Sequence, residues 1–485
     1  MNSLIAYVRY PFLWLQFIFQ RIGQWLANLF EEGKQDTKKN SIAVLDGVRA
    51  CAILFVMVFH INRITGDNLW SISENPLASS VSTAGGTGVT LFFVLSGFLL
   101  FMPFAKALLF NTQWPLNRVF YLRRFLRIIP GYYVSLLLLI LFLHPEYLHR
   151  DHLKDLLLFV TFFMDSSRAT FRQLNGPFWT LATEWQFYMI LPLIAPGIAL
   201  LMRRVPMRKR LQAVTLCLAG IIALGLFVRY WGFYYQAHPT ATFLVPRKYL
   251  NIVLFFTFGI TGKYTEDFAV GMVVSLCYIY AQHPSTGKKF VRTWERLSPW
   301  LWGGGMIVLV FSAMWHFNAN SPGGWPFLDG LLPYFNWLSE MVLASGYAAC
   351  IAAILFGSPG LKRPFEWPLL RWIGLISYSL YMWHLPLLDV FGTYVLPHFH
   401  IQNHYFAYSL YWIWALLVIF PVALLSYAMV EKPWMKLGDQ WRRSIEKNHR
   451  EKLASQIEAV QQEKVVERPS VIDREMVREQ EAVSL

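Results

Sequence analysis

The stretch "LDGVRACAILFVMVFHI", residues 45–61, decides how the rest of the chain is read. It is apolar enough to enter a bilayer, yet it carries Asp46, Arg49 and His60. An ionisable side chain inside a spanning helix costs about 2.5–3.5 kcal/mol on insertion scales, so each is by default a candidate for function. Arg49 and His60 stand 11 residues apart, about three helical turns, so they share one face and lie roughly 16 Å apart along the axis. Asp46, three residues before Arg49, is placed to pair with it. Taken alone, the stretch fits equally a surface ion pair at one end of a helix and a capping histidine at the other.

The rest of the chain supplies the setting. Of its 485 residues 55% are hydrophobic and 17% aromatic, and mean hydropathy is +0.38, which predicts an all-α integral membrane protein. The net charge of +14 does not point to nucleic acid, because Lys and Arg cluster between apolar runs, where they set orientation in a membrane. Cys51, Cys217, Cys277 and Cys350 all fall inside apolar runs, so neither a disulfide framework nor a metal site is suggested.

Runs of spanning length begin near residues 44, 88, 128, 180, 211, 268, 300, 338, 373 and 405, about ten transmembrane helices. Two shorter apolar pieces, 153–164 and 249–262, have 12 and 14 residues and suit re-entrant or buried segments. With ten crossings and both termini cytoplasmic, the basic clusters Arg118–Arg127, Arg203–Arg210, Lys288–Arg296 and Lys362–Arg371 all lie inside. Letting the short pieces span would move "RRVPMRKR" to the outer face.

Three regions follow: an interfacial amphipathic helix and linker over 1–40, a transmembrane domain over 41–436 and a charged cytoplasmic tail over 437–485. In the first, Arg9, Gln16, Gln20, Gln24 and Asn28 form a polar stripe, and no small-residue cleavage site follows. From Lys436 onward ten basic and ten acidic side chains read as a solvated helix up to about Glu467.

Four further stretches carry polar groups into apolar surroundings. "YLRRFLRIIPGYY", 121–133, holds Arg123, Arg124 and Arg127 at a helix entrance, where a fork of guanidinium groups suits phosphate as well as topology. "GPFWTLATEWQFYMILP", 176–192, sets Glu184 and Tyr188 among aromatics. "ISYSLYMWHLPLL", 376–388, holds Ser377, Tyr381 and His384, of which His384 reads foremost as a packing histidine. "VEKPWMK", 430–436, reads as a membrane anchor.

In this order the five stretches resemble the acyltransferase 3 family of membrane O-acyltransferases over roughly residues 40–436. Arg49 and His60 match its first-span signature, Arg124 and Arg127 its paired arginines, and "GPFWTLATEWQFY", "SYSLYMWHLPL" and "VEKPW" its later ones. The resemblance implies acyl transfer, most often acetyl, from cytoplasmic acetyl-CoA to hydroxyls of an extracytoplasmic or lipid-linked glycan, in a multi-pass protein of a bacterial inner or plasma membrane. It implies a carbohydrate or glycolipid acceptor, with acyl-CoA and lipid as partners and no metal; many members carry an added extracytoplasmic hydrolase-like module, and the short charged tail here predicts that this chain lacks it.

On that reading His60 is the base, or is itself acylated and passes the group on; the residues leave both open. Arg124 and Arg127, with Arg123 beside them, bind the CoA phosphates. Arg49, partnered by Asp46, orients the pantetheine, and Glu184 orients or charge-balances His60. Tyr188, Ser377 and Tyr381 support the site. The rival reading is a transporter or flippase of a lipid-linked sugar, which would also use charges in the membrane, but no repeat relates the two halves.

Overall fold

The computed structural model describes residues 43–66, 75–283, 288–321, 324–401 and 403–466. The interfacial helix expected over 1–40 lies outside these residues. The described chain is helical and contains no β-strand among the described residues. In chain order the helices are α1 (Val44–Ile64), α2 (Pro76–Thr83), α3 (Gly88–Phe110), α4 (Asn117–Phe142), α5 (Leu153–Val160) and α6 (Phe178–Met202). Then come α7 (Arg210–Ala237), α8 (Arg247–Thr257), α9 (Thr265–Gln282), α10 (Lys288–Asn320) and α11 (Phe335–Phe356). The last part holds α12 (Pro359–Lys362), α13 (Pro368–Leu375), α14 (Ser377–Val390), α15 (His404–Trp414), α16 (Phe420–Ser426) and α17 (Lys432–Val466).

Eight stretches of described helix are long and apolar enough to cross a membrane. Leu137, Leu193, Leu216, Ile307 and Leu417 stand exposed on their outer faces, as side chains that meet lipid rather than water do. The two other expected runs, near 268 and 373, form shorter helices. The 18 residues of α9 carry Glu266 and Asp267 in the first turn and pack among α3, α7 and α11, so this helix faces protein and tolerates polar groups. In the second run, α13 and α14 have only 8 and 14 residues.

The two short apolar pieces are helical, with 8 residues in α5 and 11 in α8, each too short to cross a bilayer. They are tied together by Lys263 Nζ, which donates to Asp165 Oδ2 at 2.5 Å and Ser166 Oγ at 2.8 Å.

Close helix contacts are made through glycine. A Cβ on Gly97 would overlap the Phe268 carbonyl, and one on Gly271 the Val94 carbonyl, so α3 and α9 meet backbone to backbone. Gly374 does the same for α13 against the Asp46 carbonyl of α1. Pro386 has no N–H and so frees the Met382 carbonyl one turn earlier; Asn175 Nδ2 donates to it at 2.8 Å.

Candidate functional site

Arg49 points from α1 into the bundle, with its Nη1 donating to Asp46 Oδ1 at 2.9 Å. The glycine contact at Gly374 fixes this end of α1, so Asp46 stays buried and Arg49 is held in one direction. Arg124 and Arg127 of α4 approach from the other side, one turn apart. Gly131, just past Pro130, leaves room for the Tyr378 ring, whose hydroxyl donates to the Ile128 carbonyl at 2.8 Å.

These side chains line a partly open cavity of about 90 Å³. Its walls include Arg49, Arg124, Arg127, Glu184, Tyr188, Ser377 and Tyr381. Ser96 and Tyr188 both donate to Glu184 Oε1, and the Arg124 guanidinium sits 5.9 Å from the Tyr188 ring centre. Arg124 and Arg127 make no hydrogen bond or ion pair with a described residue. Two fork-shaped cations without a carboxylate of their own, facing open space, form a ready receptor for a phosphate or another anion.

At the far end Tyr381 closes the wall, sharing a 2.7 Å hydrogen bond with Thr180. Behind it, His384 and His60 meet: the Tyr381 and His384 rings are 5.7 Å apart, and His384 Nε2 lies 3.1 Å from His60 Nδ1. His384 Nδ1 lies 3.0 Å from the carbonyl oxygens of both Leu380 and Tyr381. A carbonyl only accepts, so Nδ1 carries the hydrogen and Nε2 the lone pair. His60 Nδ1 must then donate to His384, which leaves the lone pair of His60 on Nε2. Two backbone carbonyls thus set the tautomer of a histidine on another helix.

The cavity brings together seven of the expected residues and leaves three elsewhere. Asp46 stands behind Arg49; Arg123 lines a second, adjoining cavity; His60 stands beyond Tyr381. The expected link between Glu184 and His60 is corrected: the carboxylate belongs to Ser96 and Tyr188 on the arginine side, and the partner of His60 is His384. The reading of His384 as a packing histidine missed this, since only its place before Pro386 in a polar-rich helix hinted at more. Glu431, expected in an anchor, is buried in a π-helical turn (Tyr427–Glu431) and accepts from Ser379.

A helical membrane bundle of this kind offers an anion receptor in the cavity and, behind the Tyr381 wall, a pair of imidazoles. The acyltransferase 3 model, described as an acyltransferase domain, matches residues 42–431, and the chain belongs to this family. It is 27% identical over 422 residues to the peptidoglycan O-acetyltransferase OatA of Listeria monocytogenes, covering 81% of this chain and 56% of that protein. It is 25% identical over 411 residues to YrhL of Bacillus subtilis, which carries a provisional peptidoglycan O-acetyltransferase name, covering 80% of this chain and 54% of that protein. The chain thus spans little more than half the length of these curated relatives. No solved structure matches it.

Proposed function

We propose that this multi-pass membrane protein is an O-acyltransferase that takes an acyl group, acetyl by the names of its relatives, from acyl-CoA on the cytoplasmic side. The acceptor is a hydroxyl of an extracytoplasmic or lipid-linked glycan, peptidoglycan being the class those names suggest. The observation that carries this reading is the His60–His384 pair, with a lone pair held on His60 Nε2, standing behind the Tyr381 wall of a cavity that presents Arg124 and Arg127, both unpaired among the described residues.

Arg124 and Arg127 receive the CoA diphosphate, and the pantetheine arm runs past Arg49 and Ser377 towards Tyr381. His60 Nε2 takes the proton of the acceptor hydroxyl as its oxygen attacks the thioester carbonyl. The carbon–sulfur bond breaks, and the CoA thiolate leaves and recovers the proton from His60. Thr180 gives its proton to the Pro177 carbonyl at 2.8 Å, so the Tyr381 hydroxyl donates to Thr180 and would turn from that bond to donate to the developing oxyanion. His384 acts as a positioning residue through the tautomer of His60.

The test is acyl transfer by purified protein in nanodiscs, supplied with acetyl-CoA and glycan fragments, following free CoA and acetylated product. Wild type should release both, and His60→Ala should abolish both while the protein stays folded. A wild-type protein that neither binds nor consumes acetyl-CoA with acceptor present would overturn the reading.

A further inference from the structure

The family match ends at residue 431, and α17 begins at the next residue. Its charged first half reads as a solvated helix, yet it does not stand free of the bundle. It packs along α4, where Gly438 comes so close to Leu126 that an added Cβ would lie 3.2 Å from Leu126 Cδ1. That contact brings Arg442 and Arg450 beside Arg123 and Arg124 around a second, partly open cavity of about 370 Å³.

This second cavity shares Leu99, Leu100 and Arg124 with the first, so the two are adjoining chambers with one arginine on their common wall. Its charged lining is Arg123, Arg124, Arg442 and Arg450 against Glu446, with His449 alongside, and Trp114 and Phe120 supply aromatic faces. Among the described residues Arg442 pairs only within its own helix, with Asp439 at 3.4 Å and Glu446 at 3.2 Å, geometry weak enough for an incoming phosphate to displace. Arg123 and Arg450 make no ion pair with a described residue.

We propose that α17 completes the donor site: Arg442 and Arg450, with Arg123, bind the 3′-phosphate of CoA, and Trp114 and Phe120 take the adenine, while the diphosphate lies at Arg124. This rests on the acyl-CoA reading above and deepens it, assigning the nucleotide end of the donor to a helix outside the family-matched region. An aromatic platform inside a rim of arginines is the pairing a phosphorylated nucleoside requires.

Phosphate chemistry can also be offered by anionic lipid, so the experiment separates the two. Full-length protein in phosphatidylcholine nanodiscs is titrated with CoA, 3′-dephospho-CoA and pantetheine, comparing wild type with Arg442→Gln and with Arg442→Gln/Arg450→Gln. Removing the 3′-phosphate from the probe should weaken wild-type binding about tenfold or more. The double variant should lose a similar factor for CoA and almost none for 3′-dephospho-CoA or pantetheine, since ligand and protein changes delete the same contact.

Equal losses for all three probes would make α17 a structural support and overturn the proposal. So would unchanged CoA affinity, with thermal stability that depends on the arginines only when phosphatidylglycerol is added, because the arginines then serve lipid. Wild type that binds no CoA at all sinks the acyl-CoA reading and this one together, whereas tight CoA binding indifferent to Arg442 and Arg450 sinks this one alone.

Discussion

Two of the groups of charges buried in this bundle are built on opposite plans. Around Arg49, Arg124, Arg127 and Glu184 the cations outnumber the carboxylate, two arginines are unpaired among the described residues, and a cavity opens between them. Around Arg229 the plan is reversed. Its Nε donates to Glu266 Oε1 at 2.5 Å, its guanidinium lies 4.3 Å from the Tyr264 ring centre, and Thr90 donates to nearby Glu340 at 2.8 Å. Gly225 lets α7 close on Glu266, and none of these residues lines either cavity. A charge inside the membrane therefore does not by itself mark a ligand site. What separates the two groups is an excess of cations facing open space, against a single arginine packed shut among the carboxylates of Glu266, Asp267 and Glu340.

The contrast breaks or sharpens under substitution. The largest effect is expected at His60: in His60→Ala, turnover of acetyl-CoA should fall by about 10²–10⁴-fold, the span of a general base, with the melting temperature in detergent unchanged. An active His60→Ala would remove the chemistry from the open group. Next, Arg229→Met should cost about 3–5 kcal/mol of stability by stranding Glu266, whereas Arg127→Met should cost under about 1 kcal/mol. Thermal unfolding of the two variants side by side decides this, and a reversed order would mean the closed group is not the architectural one.

Smaller effects refine the open group. Arg127→Ala should weaken CoA binding by roughly 10–150-fold, the value of a charge-assisted hydrogen bond, measurable by titration calorimetry. His384→Phe should lower kcat about tenfold with little change in KM for acetyl-CoA, as loss of one neutral hydrogen bond that sets a tautomer predicts. A change in KM alone would give His384 a role in binding instead.

Much of the open group is legible in the sequence alone. Arg49 and His60 on one face, the Arg124–Arg127 fork, and Glu184 with Tyr188 one turn later are short-range spacings along helices, which the 3.6-residue period makes readable. The partnership of Glu184 is not. Its hydrogen-bond donor Ser96 lies 88 residues away, and which helix presents it depends on how α3 and α6 pack. The closed group gives no such signal, because Glu266 and Asp267 at the start of α9 read as an ordinary acidic helix start, and Arg229 as a lone cation near a span end.

By itself the sequence determined the membrane class, the helical content and the family, and it picked out seven side chains that line the first cavity, because hydropathy and helical spacing are local properties that survive without tertiary contacts. Only the tertiary structure decided that His60 meets His384 across 324 residues, that backbone carbonyls set the tautomer of the pair, and that α17 turns back its arginines onto the arginine cavity. Those choices depend on backbone approach at a few glycines such as Gly374 and Gly438, and close approach between helices distant in sequence leaves no periodic trace along either one.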